Sequence, residues 1–227
     1  MAGVPIDYEP IVARFVGRGS SRTAGEQLEA YHQFLFDELP DWWSQSYHLM
    51  PHDSTEIVEF EDHGVRFLFD LVAERVVVAF GVSEPTQGRR DASRMSGFLG
   101  KVNPPSRLAS ESDTGNSDEV ARQQLAGMTF RDRFFLLHGD RYDRGHFISH
   151  KQGGGLDVNL FPQRADINQG RSALGRKYRA MERRCARQPG VFCFSRPIYG
   201  DRTWVPSELE YGVVEDLQVP EVRVFPN

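Results

Sequence analysis

The sequence predicts an α+β chain on three observations. An amphipathic helical pattern stands near the N-terminus, runs rich in β-branched and aromatic residues follow it, and a strongly basic helical pattern lies between strand-like runs in the second half. At 227 residues, 39% hydrophobic and 11% aromatic, the chain is long enough to bury a core.

The first helix is signalled by Thr23 and Glu26, which have the spacing of a capping box. Leu28, Tyr31, Leu35 and Leu39 then recur at helical intervals, and Pro40 is expected to stop the run. Trp42 and Trp43 follow as candidate core residues. Glu56 to Phe60, Val65 to Asp70 and Arg75 to Val82 read as strands of a small antiparallel sheet beside that helix. Residues 83 to 118 change character, with Pro85, Gly88, Pro104, Pro105 and Gly115 among many Ser and Asp. The expected organisation is therefore an accessory region over 1–90, a linker or long loop over 91–118, and a functional domain over 119–227. The competing reading makes the first helix and sheet part of one core and the linker an ordered loop.

In the second half, Glu119 to Leu125 reads as a short helix and Phe130 to His138 as a strand. A short strand or loop is expected at DRGHFISHKQ, three glycines at 153 to 155, a short element at Val158 to Phe161, and a helix from about Ala173 to Arg187 ended by Pro189 and Gly190. Val191 to Tyr199, Tyr211 to Val214 and Val222 to Phe225 read as strands.

Charge is unevenly spread. The net charge is −5, yet residues 131 to 190 hold 13 Lys or Arg against 6 Asp or Glu, while the first 90 residues hold 7 against 15. A basic segment in an acidic chain is the footprint of one face meeting phosphates, though a solvated basic helix looks the same. No stretch approaches the roughly 20 apolar residues that span a bilayer, and the opening segment carries acids where a secretory signal is basic and then apolar. Synthesis in the cytoplasm, no membrane, and export only by a route without a cleaved signal are the corresponding expectations. Cys185 and Cys193 are too few for a disulfide framework and wrongly accompanied for a zinc ribbon. They read as buried thiols, with a late-forming disulfide as the alternative.

The candidate chemistry lies in Asp143 to Arg187. Hydrolysing a phosphodiester needs a base for water, a cation against developing charge, and groups that grip phosphate. His146 supplies an imidazole next to Arg144, a phosphate-binding guanidinium, and Gly145, which lets substrate approach the backbone. Asn159, Gln163 and Asn168 follow at spacings of four and five; amide oxygens are hard neutral ligands that suit Mg²⁺ and are poor for zinc. His150 is left out, because the pattern is not HExxH and the glycines oppose a helix.

The text DRGHFISHKQGGGLDVNLFPQRADINQG, then a helix containing MERRC, then VFCFSRPIYGD, resembles the DNA/RNA non-specific endonuclease family. The likeness is to its branch of DNA-entry nucleases and related bacterial toxin domains, covers about residues 119 to 227, and is strongest over 143 to 199. It implies a ββα-metal (His-Me finger) nuclease core, with the N-terminal helix and antiparallel sheet beside it. It further implies His146 as general base, Asn168 as the Mg²⁺ ligand, Asn159 and Gln163 as supporting polar groups next to Asp143, Glu182 as a site carboxylate and Arg144 on phosphate. Mn²⁺ is the expected substitute metal. Arg176, Lys177, Arg179 and Arg183 are candidate nucleic-acid contacts, with a plain solvated face as the competing reading. DNA is the implied substrate, with RNA as a second; an immunity or inhibitor protein and a homo-oligomer are candidate partners. A toxin and an antiviral or stress effector are the two settings considered, and a binding module of the same fold without activity is the non-enzyme alternative. One geometric condition must hold. Asn168 and Glu182 are fourteen apart, roughly 21 Å along a straight helix, so the chain must break between them, and Gly170 and Gly175 offer the place.

Overall fold

A computed structural model describes residues 6–16, 23–84, 142–155 and 157–227 of the chain. The expected helix at 119–125, the strand at 130–138 and the linker at 91–118 lie outside the described residues.

Two helices open the fold. The first, α1 (Glu9–Val16), is not among the sequence expectations. Asp7 Oδ1 accepts from the Glu9 amide at 3.0 Å, Pro10 sits in the first turn, where an amide is not needed, and Ile11 and Val12 are buried. The second, α2 (Ala24–Tyr47), starts at the Thr23 cap with both halves of the capping box made, but it runs through Pro40 instead of stopping there. Pro40 removes one intrahelical bond, and the row Tyr31, Leu35, Leu39, Trp43 and Tyr47, spaced by four and buried, holds the helix across the gap.

The strands β1 (Ile57–Asp62), β2 (Val65–Asp70) and β3 (Arg75–Val82) form an antiparallel meander, as expected. The sheet does not end at β3. Ala79 to Val82 pair antiparallel with Ser195 to Phe192 of β6 (Phe192–Ile198), which pairs with β7 (Glu208–Val214) and then β8 (Glu221–Pro226). The result is one six-stranded sheet in the order β1-β2-β3-β6-β7-β8. The sheet therefore takes strands from both 1–90 and 119–227.

The sheet is a middle layer. Alternating side chains send Leu68, Phe80, Phe192 and Phe194 to one face, against α1 and α2, and Phe67, Ala79, Cys193, Leu209, Tyr211 and Val213 to the other. Inside the first layer, Arg196 and Glu210 form a fully buried ion pair at 2.7 Å; Tyr8 and Ser46 bond to it, and the Trp43 indole donates to Tyr8 at 3.1 Å.

The second face receives the remaining elements. A separate hairpin of β4 (Tyr142–His146) and β5 (Leu160–Arg164) is followed by the single turn α3 (Ala165–Asn168) and by α4 (Ala173–Cys185), which Ser172 caps. Phe147 stacks on Phe161 at 4.4 Å, and Tyr178 packs edge-on against Tyr211 and Phe225. The chain does break between Asn168 and Glu182. Gly170 takes φ 71°, and Gly175 lies so close to Asp166 that a Cβ there would come within 2.2 Å of its carbonyl oxygen. Cys185 and Cys193 are buried free thiols. Among the described residues no helix is long and apolar enough to cross a membrane.

Candidate active site

His146 closes strand β4, opposite Leu160. It is half-buried, and its backbone carbonyl faces the Tyr178 hydroxyl at 3.4 Å, which joins the hairpin to α4 at this residue. Arg144 also lies on β4, and its side chain is outside the described residues.

Asp143, three residues earlier on β4, reaches α3. Its Oδ2 accepts from Asn168 Nδ2 at 3.1 Å and from Gln169 Nε2 at 2.6 Å. An amide whose nitrogen is fixed in this way presents its oxygen in a defined direction, so Asp143 orients Asn168 as an outer carboxylate orients a metal ligand.

Glu182 lies on α4 in a second cluster. Its side chain is 9% exposed, and Arg179 Nη1 approaches its Oε2 at 3.3 Å. Burial pushes its carboxyl up to about 7, against the opposing pull of the Arg179 charge, a hydrogen bond from Tyr178 and the Lys151 charge. Tyr178, four residues before Glu182 and so on the same helix face, has its own hydroxyl pushed well up, first by burial and then by the Glu182 charge. Gln163 comes up against that hydroxyl without the alignment of a full hydrogen bond.

Two residues serve the local structure. Asn159 is fully buried and spends its amide on the backbone: Oδ1 accepts from Ile148 at 2.9 Å, while Nδ2 donates to Ile148 at 2.8 Å and Gly155 at 2.9 Å. It clamps the loop after His146. A Cβ on Gly154 would sit 2.8 Å from that amide nitrogen and 2.0 Å from the Ile148 oxygen, which accounts for one glycine of the run. Gly145 does not serve substrate approach. A Cβ there would lie 2.4 Å from Gln163 Cβ, so the glycine makes room for a side chain of the facing strand.

The exposed face of α4 carries Arg176, Lys177, Arg179 and Arg183. Arg176 donates to the Arg171 carbonyl and Arg183 to the Arg179 carbonyl, so only Arg179 of the four is tied to a site carboxylate. The structure thus brings together Asp143 with Asn168, and Glu182 with Tyr178, Gln163 and Arg179, with β4 and the His146 carbonyl between the two groups. Tyr178, Lys151 and Gln169 were missed from sequence. Tyr178 was detectable from its four-residue spacing to Glu182, and nothing local marked the other two.

Among the described residues no group of three or more His, Cys, Asp or Glu is placed to hold a metal ion.

No family model matches the sequence, and no curated protein matches it. Among solved structures the fold is similar to that of NucA from Streptococcus agalactiae, in a crystal structure with a magnesium ion bound. The identity is 14%, the TM-score is 0.43, and the match covers 76% of this chain and 84% of that one.

Proposed function

We propose that the chain is a Mg²⁺-dependent endonuclease that hydrolyses phosphodiester bonds of DNA, and of RNA as a second substrate, without strong sequence preference. The observation that carries this reading is the oriented amide: Asn168 is held by Asp143 on the same strand that ends in His146.

In this reading the hairpin followed by α3 and α4 is the ββα-metal core. Asn168 Oδ1 would hold Mg²⁺, or Mn²⁺ in its place. The cation, when bound, supplies a positive charge next to the phosphate. His146 removes a proton from the attacking water, a task suited to an imidazole. Glu182, poised near 7 by burial, is the second group able to hold a proton at physiological pH, and Arg179 lies against its carboxylate at 3.3 Å. Arg144 and Arg179 hold phosphate oxygens, for which a planar guanidinium is suited. Contacts of this kind read the backbone and not base edges, so selectivity among sequences is low.

An enzyme of this kind endangers the cell that makes it. The setting we propose is a bacterial toxin or defence effector restrained by an immunity or inhibitor protein, or by assembly into a homo-oligomer. Its synthesis would be cytoplasmic. The deciding experiment is incubation of supercoiled plasmid and of RNA with the chain in Mg²⁺, Mn²⁺ or EDTA, with His146→Ala alongside. Nicking that needs the cation and falls about 10²- to 10⁴-fold in the variant is expected for loss of a general base. Equal cutting by the variant, or cutting in EDTA, sinks the reading.

A further inference from the structure

The outer surface of α4 carries more positive charge than the proposed site uses. Gly175, Tyr178, Met181, Glu182 and Cys185 are its buried positions, Arg179 and Arg183 lie exposed four residues apart, and the exposed Arg187 follows in the turn after the helix. Arg179 and Arg183 are about 6 Å apart along the axis. One end is at the site, where Arg179 pairs with Glu182 at 3.3 Å. The other end is an open hollow of about 510 Å³ lined by Ala180, Arg183, Arg184, Arg187 and Gln188.

The guanidiniums of that hollow are not equivalent. Arg184 is committed to Glu215 at 2.9 Å and Glu221 at 2.7 Å. Arg183 and Arg187 have no carboxylate partner among the described residues; the one hydrogen bond of Arg183 there is from Nε to the Arg179 carbonyl. Arg183 stands in the last turn of α4, and the half negative charge of a helix end is less than the two charges of Arg183 and Arg187 together. The small Ala180 in the lining leaves space for an anion to approach.

We propose that Arg183 and Arg187 form a phosphate-binding subsite, the far end of a track along α4 that holds the nucleic-acid backbone beside the bond being cut. The proposal rests on the nuclease reading above and names where the strand runs from that site. At a rise of about 3.4 Å per nucleotide the step of about 6 Å from Arg179 to Arg183 spans about two nucleotides, and Arg187 follows in the turn beyond, so phosphates past the scissile one meet successive arginines. Nothing in the row reads bases.

The test is binding of a short labelled DNA duplex to the full chain in EDTA, by fluorescence anisotropy across a salt series. The subject is Arg183→Gln with Arg187→Gln. The control, Arg14→Gln with Arg202→Gln, removes the same charge from residues ion-paired elsewhere to Glu38 and Asp53. The slope of log K against log salt should fall by about 1.8 for two lost phosphate contacts, with affinity at least about tenfold weaker near 0.1 M salt. The control pair should stay within about twofold. An unchanged slope, an equal loss in the control, or no binding by the native chain overturns the track. Absence of cleavage in Mg²⁺ with the arginine-dependent binding intact would instead remove the nuclease reading and leave the track standing.

Discussion

Replacing Glu182 by Gln should make the protein more stable at alkaline pH while ending its activity. The carboxyl is raised from 4.5 to about 7 by burial, so the folded state binds a proton that the unfolded chain has released throughout that window. Stability from this group is complete below about pH 4.5, declines as pH rises through 7, and is gone above it. The difference of about 2.5 units corresponds to about 3 kcal/mol at pH 8. Gln has nearly the same shape and no charge to desolvate, and it can still meet Tyr178 and Arg179. Urea denaturation of both proteins in EDTA at pH 4.5, 6 and 8 measures the effect directly. The variant should match the native protein at pH 4.5 and exceed it progressively to about 3 kcal/mol at pH 8, which is about 6–12 °C in melting temperature for a chain of this size. Plasmid cutting in Mg²⁺ should be lost in parallel, because an amide neither takes nor gives the proton. A variant that is less stable by the same amount at every pH would show that Glu182 is an ordinary packed carboxylate, and the argument from its burial would be wrong.

Asp143→Ala should leave the fold intact but release Asn168, so that the Mg²⁺ concentration for half-maximal cutting rises about 10- to 100-fold, with activity recovered at high metal; loss that no metal restores would contradict an orienting role. Glu210→Ala should cost about 3–5 kcal/mol in denaturant, because it strands Arg196 in the layer beneath α1 and α2, and a loss below about 1 kcal/mol would mean that water reaches that pair. A fragment of residues 91–227 should be insoluble or lack a cooperative transition, since it removes β1 to β3 and exposes the edge of β6; a soluble fragment that melts cooperatively would show that the sheet can be divided after all.

Local signals were readable where the cause was local. The start of α4 at Ala173 was legible, its end at Cys185 falls two residues short of the expected Arg187, and the break at Gly170 was required by the distance between Asn168 and Glu182. The strands of the first meander were legible because β-branched runs fill them. What failed depended on partners far along the chain. Pro40 looked like a stop because the sequence does not show how firmly Leu39, Trp43 and Tyr47 are buried by strands contributed by the other half. The joining of β3 to β6 spans about 110 residues and leaves no periodic trace. In the site, residue type alone did not show that Asn159 spends its whole amide on the backbone at Ile148 and Gly155. Gly145 was misread for the same reason, since the Gln163 side chain that needs its space comes from the facing strand.

The seam between β3 and β6 also sets when during synthesis the site can exist. Ribosomes add about 5–20 residues per second, so roughly 5–20 s separate the emergence of β3 from that of its partner. The hairpin that carries His146 emerges before β6, but contacts that fasten it come later still. Asn227 Oδ1 accepts from the Arg164 amide at 2.8 Å, its Nδ2 donates to the Pro162 carbonyl at 2.8 Å, and Phe225 packs against Tyr178. A nascent chain that already displays DRGH therefore lacks the strand and the residue that fasten it.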